Sequence, residues 1–338
     1  MNKNFILSTG SYLPKKILRN DKIALTVETN DEWIRQRTGI TQRHVADKGE
    51  LTSDLAVKAA KNAIENAKIS ASEIDLIIVA TTTPDKTFPS CATIVQNKLE
   101  CKNAFAFDVQ AACSGFIYAV TIADSLMKSS TKIKHALIIG AEIMTRIVNW
   151  EDRSTCVLFG DGAGAVVMKF TAHCDIIPAC INEHQSTQIT ESFTRGILST
   201  NLHSDGNVDI LCTSGGVSST VNSGKICMNG REVFRHAVDK LATLIEETLN
   251  NNNLKIADID WLIPHQANVR IIEAVTKKLG FSIEKVINTV DKHANTSAAS
   301  IPLALDCAIQ KLQIKPGDIL LLISIGAGLT WGSVLLRY

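Results

Sequence analysis

The sequence lacks a charge excess of either sign, a long apolar run, an abundance of aromatic residues and any closely spaced cysteine pair. Lys and Arg total 35 against 34 Asp and Glu, a formal net charge of +1. No global field therefore draws the chain to nucleic acid or to a membrane surface, and an acidic partner must meet a local basic patch. The longest apolar stretch, Ile319 to Ile325, has strand length, well short of the roughly 18 residues a spanning helix needs. The opening Met1-Asn2-Lys3-Asn4-Phe5-Ile6-Leu7 turns polar too soon for a signal peptide, so the chain is expected to be cytoplasmic. Nine cysteines, an odd number with no C-x-x-C pair, argue against a disulfide framework or a zinc knuckle. Cys174 and Cys180 with His173 and His184 fit no usual ligand spacing, so no metal is expected.

What is present is 338 residues, 45% of them hydrophobic and only 5% aromatic, rich in Ile, Val, Leu and Ala. That length predicts two core units or one large α/β body. A duplication is visible at a fixed offset. Ile69 and Leu254, Ile74-Asp75 and Ile259-Asp260, and Ala119 and Ala304 are each 185 positions apart. In the first half the spacing predicts a helix after possible caps at Thr52 and Ser53, strands at 74–80 and 104–109, a helix over 114–128 and a buried strand at 136–140. In the second half helix 231–249, strand 260–264, helix 268–279, strand 286–290, helix 297–312 and strand 318–324 alternate as α/β units do. The polar stretch Thr171–Arg195 has no place in this scheme and reads as a surface excursion between halves 1–170 and 171–338.

Cys113 lies where the strand Phe107-Asp108-Val109 gives way, through small residues, to a helix. Most cysteines in apolar runs serve as small core hydrophobes. A sulfur at a helix start differs, because unpaired N–H groups and the dipole favour thiolate and lower the pKa. Partners stand in the second half. His265 follows the strand Trp261-Leu262-Ile263-Pro264, and open α/β sheets carry their sites at such strand ends. Asn295 is offset by 185 from Gln110, three residues before the cysteine. Equivalent ends of duplicated halves face each other, and Cys, His and Asn together suit thioester chemistry: the thiolate attacks, and donors stabilise the charge forming on a carbonyl oxygen.

Two Gly-rich runs, Phe159-Gly160-Asp161-Gly162-Ala163-Gly164-Ala165 and Gly326-Ala327-Gly328-Leu329-Thr330-Trp331-Gly332, invite a nucleotide reading. A dinucleotide loop must lead into a helix, whereas both runs lead into strand-like residues. Tight turns between antiparallel strands are expected instead, the second able to supply an oxyanion N–H.

These residues carry a likeness. The chain resembles the β-ketoacyl-acyl-carrier-protein synthase III family over nearly its whole length: at Gly10-Ser11-Tyr12-Leu13-Pro14, at Asp31-Glu32-Trp33-Ile34 with Arg37-Thr38-Gly39-Ile40, around Cys113, in the first Gly-rich run, at Pro264-His265-Gln266-Ala267-Asn268, at Asn295-Thr296-Ser297-Ala298-Ala299-Ser300 and at Thr330-Trp331-Gly332-Ser333. The resemblance implies a thiolase-like fold, a five-layered αβαβα body of two duplicated halves. It implies an acyltransferase that takes an acyl group, usually acetyl, from acyl-CoA onto Cys113 and condenses it with malonyl-acyl-carrier protein, His265 and Asn295 stabilising the enolate. It implies an oxyanion hole from the N–H groups of Cys113 and Ala327. Trp33 and Arg153 would sandwich the CoA adenine, Arg37 would meet its phosphates and Asn268 its pantetheine arm. Phe88 would cross a homodimer interface and limit the partner's acyl pocket. Gln266, Arg235, Arg270, Lys277 and Lys278 would meet the acidic carrier protein. No cofactor is implied, since acyl-CoA is a substrate.

Two departures stand out: Ala327 replaces the middle glycine of a Gly-Gly-Gly version, and Arg231 stands where some members have Asn. The excursion at Thr171–Arg195 also looks longer than the family needs. Among rivals, thiolases use a second cysteine, and Cys307 is predicted to lie mid-helix rather than in the Gly-rich turn. Elongating ketosynthases use two histidines. A type III polyketide or quinolone-type synthase keeps Cys, His and Asn. A papain-like protease also orders Cys, His and Asn, but leaves the duplication unexplained, and a scaffold of the same fold would accept no acyl-CoA.

Overall fold

The apolar run Leu76–Ala80 forms a strand with every residue buried, and so does Ile319–Gly326. A strand hidden on both faces needs cover on both sides, and this computed structural model, which describes residues 3–130, 132–171, 195–219 and 224–338, supplies it twice. One sheet runs in the order Lys3–Tyr12, Asp161–Thr171, His135–Ile143, Leu76–Ala80, Phe105–Val109. The other runs Gly196–Ser204, Thr330–Arg337, Ile319–Gly326, Trp261–Pro264. Laid side by side, the four strands of the second match the first four of the first, in position and in direction of pairing.

The fifth position of the second sheet departs from expectation. A strand is predicted at 286–290, but only a single parallel bridge joins Leu262 to Val286. The Gln266 side chain is the reason: its amide donates to Ile287 O at 3.1 Å and its carbonyl accepts the Thr289 N–H at 2.8 Å, replacing the ladder bonds another strand residue would make.

Apolar packing defines five layers. Helices Thr52–Ala67 and Cys91–Leu99 cover the outer face of the first sheet through Leu55, Ile64, Val95, Ile77 and Val79. Helices Gly115–Ser129 and Ser300–Gln310 fill the middle, joining Ile78 and Val166 of one sheet to Ile263 and Leu322 of the other. Helices Gly230–Asn251 and Val269–Leu279 close the far face over Leu262, Leu321 and Leu335.

Two local readings change. Thr52 and Ser53 are helical rather than capping: Leu51 precedes the helix and Asp54 accepts its N–H at 2.9 Å. Thr52 Oγ1 instead donates to Thr83 O at 2.5 Å, tying the helix to the loop beyond Leu76–Ala80. The first Gly-rich run is no turn either; from Asp161 onward it lies inside a strand paired on both sides. Its bareness serves packing, because a Cβ on Gly164 would stand 2.6 Å from Leu303 N, and the middle-layer helix would be forced off the sheet. The second run is the expected turn, linking Ile319–Gly326 to Thr330–Arg337. Residues 172–194, with His173, Cys174, Cys180 and His184, lie outside the described residues.

Candidate active site

Cys113 occupies a 3-10 turn, Ala112–Ser114, that runs directly into the helix Gly115–Ser129. Ala112 holds a φ of 45° there, while Ala294 at 59° and Ser297 at 50° flank Asn295. Left-handed backbone at residues with a Cβ carries strain of order 1 kcal/mol each and persists only where surroundings over-determine it. Here they do: Ser324 Oγ donates to Cys113 O at 2.7 Å, Ser114 Oγ to Thr330 O at 2.8 Å, and Thr330 Oγ1 to Ala111 O at 3.1 Å. The second half of the chain thus clamps the nucleophile turn of the first.

His265 follows its strand as expected, its N–H bound to Ile323 O at 2.8 Å. Burial pushes the imidazole down to about 3, so it is neutral. Its Nδ1 stands 2.6 Å from Ser300 Oγ, which also accepts the Gln266 N–H at 3.3 Å. In the tautomer where the Ser300 hydroxyl donates to Nδ1, Nε2 carries the ring N–H. Asn295 is pinned in backbone pairing, its N–H to Leu158 O at 2.9 Å and its carbonyl receiving the Gly160 N–H at 3.0 Å. Its Oδ1 accepts the Ser297 N–H at 2.9 Å, which orients the amide and leaves the NH₂ to donate elsewhere.

Cys113, His265 and Asn295 line one cleft of about 520 Å³, with Trp33, Arg37, Arg153, Asn268 and Arg270 toward its mouth. The thiol differs from expectation. A helix start favours thiolate, yet burial dominates and pushes Cys113 up to about 12; contact with Ser297 opposes this and the nearby Glu142 adds to it. The resting pair is neutral thiol and neutral imidazole.

Glu142 escaped the sequence reading. It is wholly buried at the end of the strand His135–Ile143, accepting from Thr83 Oγ1 at 2.5 Å, from the Thr82 N–H at 3.1 Å and from Thr81 Oγ1 at 3.2 Å. Burial pushes its carboxyl up to about 7. A lone acid in the run Gly140-Ala141-Glu142-Ile143 leaves one signal only, a charge that follows the apolar run 136–141.

The remaining expected positions divide. Arg153 places its guanidinium 4.9 Å from the Trp33 ring and Arg37 lies at 5.9 Å, so the three come together; Arg153 already covers one face of the indole. Asn268 caps the helix Val269–Leu279 through the Arg270 N–H at 2.8 Å while lining the cleft. Ala327, half-buried in its turn, has a negative φ that tolerates a Cβ, and Gly326 beside it lies so close to Cys113 that a Cβ there would stand 2.8 Å from Cys113 N. Phe88 is 82% exposed and is not among the residues that line this cleft. Arg270, Lys277 and Lys278 are exposed on one helix, with Lys278 held by Asp239 at 2.7 Å and Arg235 by Glu232 at 2.7 Å. Gln266 is a correction: it is fully buried with three hydrogen bonds, donating also to Pro264 O at 2.7 Å, and cannot touch a carrier protein. Among the described residues no three His, Cys, Asp or Glu side chains cluster as a metal site, and no helix is long and apolar enough to cross a membrane.

Comparison with known proteins gives the family of the chain. Residues 107–184 match the family described as 3-oxoacyl-[acyl-carrier-protein (ACP)] synthase III, and residues 249–338 match its C-terminal counterpart. The chain is 76% identical over 338 residues, all of both chains, to the beta-ketoacyl-[acyl-carrier-protein] synthase III of Wolbachia sp. subsp. Brugia malayi (strain TRS), and 76% identical over the same span to that of Wolbachia pipientis wMel. It also superimposes on the crystal structure of 3-oxoacyl-[acyl-carrier-protein] synthase III from Aquifex aeolicus VF5 with a TM-score of 0.89 and 45% identity, covering 99% of this chain and 100% of that one. With its thiolase fold, the chain belongs to the β-ketoacyl-acyl-carrier-protein synthase III family, the condensing acyltransferases of fatty-acid biosynthesis.

Proposed function

We propose that this enzyme condenses an acyl-CoA, acetyl-CoA foremost, with malonyl-acyl-carrier protein to open type II fatty-acid synthesis in the cytoplasm, without a cofactor. The observation that carries the reading is one cleft with Cys113, His265 and Asn295 inside and Trp33, Arg37 and Arg153 at its mouth. The nucleophile belongs to the half 1–170 and its two partners to the half 171–338.

In the first half-reaction Cys113 Sγ attacks the acyl carbonyl, and the N–H groups of Cys113 and Ala327 hold the oxyanion. Collapse breaks the thioester and CoA leaves as the thiol, carrying off the Cys113 proton. Malonyl-carrier protein then binds. Its Cα–carboxylate bond breaks, carbon dioxide departs, and the electron pair forms an enolate whose oxygen takes hydrogen bonds from His265 Nε2–H and the Asn295 amide. A neutral imidazole with its proton on Nε2 suits that role, since it donates without needing to be charged. The enolate carbon attacks the acyl-Cys113 thioester, the acyl carbon–sulfur bond breaks, and β-ketoacyl-carrier protein is released while the departing Cys113 thiolate takes a proton from solvent.

For CoA, Arg153 swings off the indole so that the adenine lies between it and Trp33, Arg37 meets the phosphates and Asn268 the pantetheine. For the carrier protein, the exposed Arg270, Lys277, Lys278 and Arg235 supply the positive surface. A homodimer is supported by Phe105–Val109, an edge strand of the first sheet that begins with a 48% exposed Phe105, and by Phe88, which is 82% exposed. Unpaired edges beside exposed aromatics invite a second copy, and Phe88 would then bound the partner's acyl pocket.

The test is intact mass. Acetyl-CoA should add one acetyl group at Cys113, and malonyl-carrier protein should then discharge it. No label, or discharge only to an aromatic acceptor, overturns the reading.

A further inference from the structure

The wall of the cleft carries thiols that the condensation does not use. Strands Leu211–Thr213 and Ile226–Met228 pair antiparallel, with Leu211 opposite Met228 and Cys212 opposite Cys227. Alternation sends the two pairs to opposite faces. Leu211 and Met228 line the cleft, and Ile226, on the same face as Met228, is buried beside it. Cys227 is exposed and Cys212 half-buried, both as free thiols on the outer face.

The ladder fixes their separation. Ser214 N–H binds Lys225 O at 2.8 Å and Asn229 N–H binds Ile210 O at 2.9 Å. Counting inward by twos makes Cys212 and Cys227 a hydrogen-bonded pair, for which the Cα atoms lie about 5.5 Å apart, within the span of roughly 4.4–6.8 Å that a disulfide bridges. The Cys227 thiol lies over its own strand, donating to Lys225 O at 3.5 Å. Burial, with Cys227 and Asp209 nearby, holds the Cys212 thiol above the ordinary range, so the exposed Cys227 is the sulfur an oxidant meets first. Cys91, Cys101, Cys113 and Cys156 are all buried.

We propose that Cys212 and Cys227 form a reversible oxidation site. A hydroperoxide oxidises Cys227 to the sulfenic acid and is reduced to water or alcohol; Cys212 then attacks that sulfur, a second water leaves, and a cross-strand disulfide closes. The two thiols supply both electrons and both protons, and a dithiol reductant reopens the bond. The bridge forms on the solvent face, so it needs no room in the cleft, but it joins the strands whose inner residues Leu211 and Met228 make the wall. Oxidation therefore registers in acyl-CoA binding, a consequence that rests on the cleft being the acyl-CoA site.

The experiment treats the full chain with a few equivalents of hydrogen peroxide, then maps peptides without reduction and measures acetyl-CoA kinetics. The expected result is a linked peptide pair holding Cys212 and Cys227, reversed by dithiothreitol and missing in Cys212→Ser and Cys227→Ser. KM for acetyl-CoA should shift at least about threefold in the wild type and not in Cys212→Ser. Sulfinic acid accumulating on Cys227 with no link overturns the site, and a link that leaves KM unmoved overturns its connection to the cleft. A link in protein that never acetylates Cys113 upholds the oxidation site while removing the catalytic reading.

Discussion

The Ser300 hydroxyl stands 2.6 Å from His265 Nδ1 and 3.3 Å from the Gln266 backbone nitrogen, whose N–H it accepts. The partner behind the ring selects its tautomer, and a hydroxyl that donates to Nδ1 leaves the proton on Nε2. Ser300→Ala should slow decarboxylation of malonyl-carrier protein roughly tenfold or more, and His265→Ala by ~10²–10³, the usual loss for one oxyanion donor. Acetylation of Cys113, followed by mass, should proceed in both. Equal losses in the two half-reactions would contradict this division of roles.

Glu142 makes stability depend on pH. Burial holds its carboxyl at about 7 against an ordinary 4.5. Between those values the unfolded chain has released a proton the native chain retains, so the stability this group contributes is complete below about 4.5 and lost as pH rises through about 7. The span corresponds to ~3 kcal/mol. His265, depressed to about 3, acts oppositely and loses its contribution as pH falls. In Glu142→Gln the fall in Tm from about pH 5 to pH 8 should flatten, and iodoacetamide should alkylate Cys113 faster once the nearby negative charge is gone. A melting profile parallel to the wild type would exclude this titration.

Gly326 is the close approach between the halves. A Cβ there would stand 2.8 Å from Cys113 N and 3.0 Å from Ala111 O, both main-chain atoms that cannot step aside. We expect Gly326→Ala to cost about 1–3 kcal/mol and to slow Cys113 acetylation at least about tenfold, since small displacements of a nucleophile are expensive. Gly49→Ala, where nothing lies within 4 Å, is the control that should behave as wild type.

On the proposed reading Trp33 and Arg153 hold the CoA adenine rather than the reacting atoms, so their loss should appear in KM. Trp33→Ala and Arg153→Ala should each raise KM for acetyl-CoA about five- to fiftyfold, with kcat changed less than about twofold. A fall in kcat with KM preserved would remove them from the CoA site.

Gln266 and Arg270 separate structure from docking. Gln266→Ala leaves Ile287 O and the Thr289 N–H without their side-chain partner, and should lower stability by about 2–4 kcal/mol with no selective change in KM for malonyl-carrier protein. Arg270→Glu should raise that KM and weaken its salt dependence while leaving Tm nearly unchanged. The reverse pattern would return Gln266 to the surface and dismiss Arg270.

Much of this arrangement was legible in the sequence because repetition carries spatial information. The offset linking Gln110 to Asn295 and Ala80 to His265 put loop ends of two like halves opposite each other, and the cleft contains His265 and Asn295 with Cys113. Helix and strand positions followed from period and length. What was not legible depends on depth. The dipole of its own helix favours the Cys113 thiolate, whereas the surrounding layers desolvate the sulfur and reverse the direction of the shift. Gln266, between His265 and Ala267, reads as a surface amide until the missing strand at 286–290 shows what its side chain replaces. Glu142 has no motif at all, since its donors Thr81, Thr82 and Thr83 come from a loop some sixty residues away.

Bare strands set one more property of this enzyme. Gly140 lies directly beneath Ala298, and Gly164 beneath Pro302 and Leu303. Asn295 and Ser300 flank the turn that rests there. The height of both groups above the nucleophile is therefore gauged by side chains that are absent. A single methyl added to the middle of either strand would act as a shim under the catalytic platform and detune it without altering one reacting group.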